Sequence, residues 1–442
     1  MKITGKQAVF VPMMAAAILL LVITGTALVW SGEKNSKTVL RFGMSAGSYW
    51  EVPTGNCYEV IDAAIQRFEA KHPDVKVEYV SGILKTDYSE WLAEQIVLGE
   101  EPDVFMIPEG EFDMIASLHV LKNLDLLIER DSGFESAAYY KGAYLYGNIR
   151  GVQYALPYES VPTLMFVNKT LLDKEGIPMP KESWTWDDFL ALCQQVTRDT
   201  DGDGIIDQFG CFDFDWKEAV CSNGAVLFEE NGTVSYFGDS KVETAVKFVK
   251  ELNAVNQGYI VTAKEFDRGK VAFRPFAFSE YRTYKPYPWR IKKYSDFEWD
   301  CINLPSGPDG SGQSQLNTLL MGISSRTKQE SLAWEFLKEL CYEEETQVHI
   351  LEASQGMPVL RKAAESSVLQ SVLGDDVPGS GQMNVQVIQQ VMEDAVDMPN
   401  FQLYAAAMEL ADGEISHMVN GDMALDNRLL KLQREINSLL KQ

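Results

Sequence analysis

"VLRFGMSAGSYWEVPTGNCYEVIDAAIQRFEAKHPDVKVEYV", residues 39–80, holds two different periodicities side by side. "VLRFGMSAG" reads as a strand ending in a turn of small residues. "NCYEVIDAAIQRFEAKHPD" then places Val60, Ile61, Ala64, Ile65 and Phe68 on one helical face and stops before Pro73. "VKVEYV" follows as a second strand. Strand, helix, strand at this spacing is a βαβ unit, which implies a parallel sheet covered by helices. The pattern repeats in "DYSEWLAEQIVLGEE", helical, and "PDVFMIP", an apolar strand bounded by prolines.

Working outward, "GVQYALPYESVPTLMFV" (Gly151–Val167) reads as two apolar strands split by a proline-containing crossover. "NKTLLDKEG" and "SWTWDDFLALCQQVT" are helical in pattern, the second with Ser183 as its expected N-cap. Residues 241–254 and 263–274 read as helix and strand. "INLPSGPDGSGQSQ" (302–315) is a loop. Helical stretches at 328–352, 384–396 and 422–441 close the chain. The expected class is α/β, built from more than one doubly wound unit.

At 442 residues the chain is too long for one ordinary core, and 46% hydrophobic content excludes disorder. A formal charge of −25 argues against a nucleic-acid partner, because neutralising phosphates needs clustered Lys and Arg. Lys2 and Lys6 precede the uncharged run "AVFVPMMAAAILLLVITGTALVW" (8–30). Its length suits a membrane-spanning helix, while "GTA" at Gly25–Ala27 could be a signal-peptide cleavage site. Both readings stay open, with an uncleaved anchor preferred, and either one exports the bulk of the chain. Residues 33–38, "EKNSKT", form a short polar linker. Six cysteines (Cys57, Cys193, Cys211, Cys221, Cys301, Cys341) show no zinc spacing. Cys211 and Cys221 are close enough in sequence for a bridge, and buried free thiols are the alternative.

"TRDTDGDGIIDQFG" (197–210) sets four aspartates at alternate positions around two glycines. Calcium wants six to eight oxygens, which a 12-residue loop supplies from alternate positions. Counting Asp199 as the first position, Asp201 and Asp203 are third and fifth, and Gly204 sits where the loop turns. Ile205 offers its carbonyl, and Asp207 is ninth. The twelfth position is Gly210, so the bidentate Glu is missing and Asp213, Asp215 or water must replace it. The alternative is a solvated cluster of Asx turns. Like charges this dense repel without a cation, so a structural Ca2+ is expected.

"GMSAG" (43–47) matches the G-x-S-x-G pattern of serine hydrolases, but the elbow needs a helix directly after Ser45, and Pro53 and Gly55 intervene. Only His72, His119, His349 and His417 could complete a triad, and Ser45 is not expected to be a nucleophile. Glu109, Glu111 and Glu159 at strand ends could form the carboxylate pair of a glycosidase. Among 64 acidic residues such coincidences are common, and acceptance from sugar hydroxyls is the preferred role. Tyr49, Trp50, Trp216, Tyr284, Tyr287 and Trp289 offer flat rings at loop positions, suited to stacking on pyranose faces.

Several stretches occur in an order that resembles the extracellular solute-binding proteins of the carbohydrate-uptake class (family 1, maltose-binding-like), which feed ABC transporters. These are "VLGEEPDVFMIPEGEFDMIASLHVLKNLDLLI", "GVQYALPYESVPTLMFVNKTLLDKEGIPMPKESWTWDDFLALCQQVT", "GKVAF", "MGISSRTKQESLAWEFLKEL", "QGMPVLRKAA" and "EINSLL". The resemblance implies two α/β lobes joined by three crossings, near Pro157–Pro162, Gln315–Leu319 and Gly356–Val359. The expected division is 1–37 anchor and linker, 38–158 first lobe, 159–316 second lobe with the aspartate loop, 317–357 return to the first lobe, and 358–442 return to the second. It implies a non-enzymatic receptor that closes on a sugar and delivers it to permease subunits, expected as a monomer on the extracellular face of the membrane. Ser45, Tyr49, Trp50 and Glu51 match one ligand-contacting loop of the family, Glu109, Gly110 and Glu111 a second, and Glu159 and Ser160 a third. Trp216 and Trp289 rest on the aromatic argument alone. The sequence lacks the family's common lipid-attachment cysteine, which leaves the apolar run as the expected tether. A glycoside hydrolase, a sensor ectodomain and a receptor for a polyamine or other solute are the competing readings.

Overall fold

The computed structural model describes residues 37–50, 52, 57–229, 232–284, 297–374, 385–397, 399, 401–421 and 424–441. Residues 1–36, with the apolar run, and the expected ligand residues Glu51 and Trp289 lie outside the described residues.

The strands, in chain order, are β1 (Thr38–Gly43), β2 (Val75–Tyr79), β3 (Val104–Met106), β4 (Asn148–Ile149), β5 (Val152–Gln153), β6 (Ala155–Asn168), β7 (Phe209–Cys211), β8 (Val271–Ala277), β9 (Trp299–Ile302), β10 (Gln315–Ile323), β11 (Met357–Pro358) and β12 (Val396–Asp397). The principal helices are α1 (Cys57–Lys71), α2 (Lys85–Leu98), α3 (Lys141–Tyr146), α4 (Trp186–Val196), α5 (Trp216–Ser222), α6 (Ser240–Ala254), α7 (Phe278–Tyr284), α8 (Glu330–Cys341), α9 (Glu344–Ala353), α10 (Val385–Asp394), α11 (Tyr404–Asn420) and α12 (Leu425–Leu439).

The βαβ reading of residues 39–80 holds. β1 pairs parallel with β2, and again with β3, while Val60, Ile61, Ala64, Ile65 and Phe68 of α1 are all buried. Along the main sheet the order is β2-β1-β3-β10-β6-β8-β7. β6 is the member shared by both halves. Its first part runs antiparallel to β10, from Ala155 opposite Gly322 to Pro162 opposite Leu316. From Thr163 onward it pairs instead with β8, and from Met165 also with β9.

This corrects the expectation of two strands split at the prolines: β6 is one strand of 14 residues. Proline cannot donate to a ladder and is tolerated at bulges and strand margins. Pro157 sits at such an irregularity, where the register slips between Leu319 and Leu320: Glu159 stands opposite Leu319 and Pro157 opposite Leu320. Pro162 falls where the strand changes neighbours, so its missing N–H costs no ladder bond to β8.

Two apolar clusters follow from this arrangement. The first lies around β1, β2, β3, α1, α8 and α9; the second is centred on α4, α5, α6, α11 and α12. The expected second-lobe return, 358–442, is divided between them: Val359 to Met392 pack into the first cluster, and Phe401 to Ile436 into the second. In α4, Trp186, Phe189, Cys193 and Val196 form the buried face, and Trp186 stacks on Phe248 at 4.3 Å. Ser183 is not its cap. Thr185 is, accepting from the Asp188 N–H while the Asp188 carboxylate accepts from the Thr185 N–H. That reciprocal box satisfies two orphan donors, which Ser183 stands too far upstream to reach. The helical stretch 328–352 breaks into α8 and α9 at Tyr342–Glu343.

Candidate functional site

The ligand-sized space is a cavity of about 520 Å3 lying beside the C-terminal ends of β1 and β3, where open α/β sheets place their ligands. Its first wall is the loop after β1. Gly47, at φ +87°, turns the chain, and Ser45, Tyr49 and Trp50 then face the cavity. Ser48 fixes this loop, accepting from the Trp50 N–H at 3.2 Å and donating to Gln355 Oε1 at 3.1 Å. The second wall is the turn after β3, with Pro108, Glu109, Gly110 and Glu111; Gly110 holds φ +76°, a conformation that favours glycine. The α2 residues Lys85, Tyr88 and Ser89 complete it. Lys85 donates to Glu109 at 3.1 Å, Ser89 donates to Glu111, and Tyr88 donates to the Met106 carbonyl at 2.9 Å. Asn317, Thr318 and Leu319 on β10 form the floor, Tyr146 of α3 stands at one side, and Pro399, Tyr404 and Ala405 complete the lining, Tyr404 also packing against the second cluster.

Of the residues expected to touch ligand, the structure brings together Ser45, Tyr49, Trp50, Glu109, Gly110 and Glu111. Glu159 stands behind them. It is fully buried, accepting from Trp50 Nε1 at 2.5 Å and from Ser354 Oγ at 2.5 Å. Burial raises its pKa to about 7, with the two hydrogen bonds and the charge of Arg282 pulling the other way. Ser160 is buried against Thr318, oxygen to oxygen at 2.8 Å. Trp216 is elsewhere. It lies in the second apolar cluster, 3% exposed, with its indole N–H on Asp412 at 2.9 Å. Its position after a charged loop looked like an exposed ring, but it begins α5 and turns inward beneath the Asp215 cap.

Residues that the sequence reading missed are Lys85, Tyr88, Ser89, Tyr146, Asn317, Thr318, Leu319, Pro399 and Tyr404. Asn317 to Leu319 fall inside the expected second crossing, which was the available signal. The α2 residues carry none, because a helix face says nothing about which turn abuts a cavity. Two acceptors near this space have no hydrogen-bond partner among the described residues: Asn317 Oδ1, and Asp397 Oδ1 on β12 beside it. Burial pushes the Asp397 carboxyl up to about 7. Unpaired buried acceptors are costly, and Asn317, which lines the cavity, is placed for a ligand to supply the missing donor.

The aspartate loop lies apart from this cavity. Oxygens of Asp199, Asp201 and Asp203 all come within 4.8 Å of one another. Asp199 accepts the N–H groups of Gly202 and Gly204, each at 2.7 Å, which hold its carboxyl below the usual range. Asp203 accepts from the Ile205 N–H at 2.8 Å. Asp207 does not join them: its carboxylate takes the Thr200 N–H at 2.8 Å and Lys270 Nζ at 2.7 Å. Burial opposes its ionisation, but the Lys270 and Thr200 contacts prevail and bring its pKa down to about 2. Ile205 stands exposed at the loop's tip. Asp213 pairs instead with Arg274 at 3.4 Å, and Asp215 caps α5. Cys211 and Cys221 are free and buried, with no bridge between them.

A profile of the bacterial extracellular solute-binding protein family matches residues 54–345. The chain belongs to this family. Among curated proteins, an uncharacterised lipoprotein from Streptomyces antibioticus, encoded in the oleD 5′ region, is 24% identical over 73% of this chain and 70% of its own length. Among solved structures, this solute-binding protein is similar to the sugar-binding protein MalE from Xanthomonas citri, with a TM-score of 0.75 and 17% identity over 91% of this chain and 98% of that one. It is also similar to an ABC substrate-binding protein from Listeria monocytogenes in complex with cycloalternan, with a TM-score of 0.68 and 20% identity over 92% and 99%. The fold is therefore the two-lobed α/β fold of periplasmic binding proteins.

Proposed function

We propose that this solute-binding protein is a non-catalytic receptor for an oligosaccharide, which it carries to the permease subunits of an ABC transporter. The observation that carries the reading is the cavity itself. Tyr49, Trp50, Tyr88, Tyr146 and Tyr404 supply ring faces, while Glu109, Glu111 and Asn317 supply acceptors within the same space. Rings cover the apolar faces of pyranoses, and acceptors take their hydroxyls. The position of that cavity between the two clusters supports closure on the ligand, since a ligand touching both lobes favours the closed arrangement. Ser45 lines the cavity and is read as a binding residue; among the described residues the first helix after it starts at Cys57, twelve residues on, whereas a hydrolase elbow needs one directly after the serine. The apolar run 8–30 is the proposed tether, holding a monomeric receptor at the extracellular face.

The aspartate loop is proposed to bind Ca2+ structurally. Three carboxylates, Asp199, Asp201 and Asp203, supported by the Ile205 carbonyl, make an all-oxygen donor set suited to a hard cation. Asp207 is committed to Lys270 and serves the loop as a brace.

A thermal-shift screen of the protein against mono- and oligosaccharides, with calcium and with chelator, tests both proposals. Saturating ligand at about 100 times its Kd stabilises the folded state by about 2.7 kcal/mol. A melting rise with one sugar family and no sugar breakdown is expected. A rise only with polyamines or amino acids would replace the sugar reading.

A further inference from the structure

Glu159 was expected among the ligand contacts, yet it does not line the cavity. It lies one layer behind, where four parts of the chain meet. Trp50, on the loop after β1, faces the cavity with its ring and donates its indole N–H to Glu159 Oε1 at 2.5 Å. Ser354, at the C-terminal end of α9, donates to Glu159 Oε2 at 2.5 Å. Glu159 itself belongs to β6, the strand common to both halves of the sheet. Arg282, on α7 just after β8, donates Nη2 to the carbonyls of Leu351 at 2.6 Å and Ser354 at 2.9 Å. That arginine closes the carbonyl end of α9 from the other half of the sheet, and its charge bears on Glu159. Gly356 leaves the room required: a Cβ there would stand 2.9 Å from Glu159 Cδ.

We propose that Glu159 is a positioning residue for the ligand, acting through Trp50, whose ring it fixes against the cavity and ties to the junction between the lobes. This rests on the sugar-receptor reading for the ring's task. Both carboxylate oxygens are taken by donors from different segments, so Trp50 cannot turn without releasing one of them. An ionised carboxylate grips the indole N–H more firmly than a protonated one, because charge-assisted hydrogen bonds are roughly twice as strong. Trp50 orientation therefore follows the ionisation of Glu159. Arg282 is the charged side chain that bears on that carboxyl among the described residues.

Glu159→Gln keeps the shape, accepting from Trp50 with its oxygen and donating to Ser354 with its nitrogen. Glu159→Leu removes both bonds. Sugar affinity of the full chain, measured well below each melting point, should stay within about threefold of wild type for Gln and fall about tenfold or more for Leu. Wild-type affinity should rise several-fold between about pH 6 and about pH 8, and the Gln variant should be flat across that range. A ligand-free arm uses iodide quenching of Trp50, taken as the difference from Trp50→Phe in each background. Quenching should increase in Leu and not in Gln. Unchanged affinity and quenching in Glu159→Leu, or a pH slope retained in Glu159→Gln, would overturn the proposal. If wild type binds no sugar, the receptor reading falls, and the quenching arm alone then decides this one. Should the Leu variant not fold, Glu159→Asp, one methylene too short to reach both donors, takes its place in every arm.

Discussion

Trp50 and Trp216 show how little a residue's identity fixes its task. Both follow a strand and a polar turn, and both donate the indole N–H to a carboxylate. Trp50 presents a half-buried ring to the cavity, whereas Trp216 is sealed in the second cluster against Phe237. What separates them is the cap: the Asp215 and Glu218 box starts α5 at Trp216 and rotates its ring inward. Sequence spacing showed the ring and the turn, but burial depends on which face of a seven-residue helix meets a distant core. Trp216→Ala should therefore destabilise the fold by about 3–5 kcal/mol with sugar affinity unchanged at temperatures where it stays folded. Trp50→Ala should do the reverse, abolishing measurable binding with a small change in melting. Denaturant titration and calorimetric binding of the pair check both halves. Asn317 belongs to the same comparison. Its Oδ1 lacks a partner, so Asn317→Ala should weaken sugar binding by about 1–3 kcal/mol while leaving ligand-free stability unchanged or improved.

At the scale of elements, local signals were read well wherever one face was clearly buried. The α1 stripe and the β1–α1–β2 order needed only period and spacing. β6 was misread because prolines usually end strands, and the bulge that accommodates Pro157 is set by β10, which lies more than 150 residues further along the chain. The aspartate loop was legible in its spacing, but Asp207 was not, since its partner Lys270 comes from the turn before β8. Asp201→Asn with Asp203→Asn should lower the melting temperature measured with calcium and abolish the further fall caused by chelator, with sugar affinity retained. Lost affinity with unchanged melting would sink the structural assignment. α11 offers a simpler test. Gly413 lies inside this helix with open space where a Cβ would project. Gly413→Ala should raise stability by about 0.5–1 kcal/mol, read as a shifted denaturant midpoint with an unchanged slope.

Over the whole molecule, the buried carboxyls of Glu159 on β6 and Asp397 on β12 set an unusual balance with pH. Burial raises Glu159 from 4.5 to about 7 and Asp397 from 3.8 to about 7. A carboxyl raised on folding binds its proton more tightly in the native state, so its stabilising effect is complete below the unfolded pKa. It is lost as pH climbs through the folded value. For Glu159 that loss is about 3 kcal/mol between pH 4 and pH 8. Asp207, held down to about 2 by Lys270 and Thr200, works in the opposite direction and in another window, losing its contribution only as pH falls through about 4 and below. Self-repulsion within a chain of formal charge −25 adds to the decline above neutrality. Ligand-free stability should therefore peak near pH 5 and decline towards pH 8, against the common pattern of a broad neutral optimum. Urea midpoints at pH 5 and pH 8 check this, with Glu159→Gln expected to recover a large part of the difference. Stability that rises over that interval, or a variant with the wild-type slope, would show that Glu159 is already ionised in the ligand-free fold.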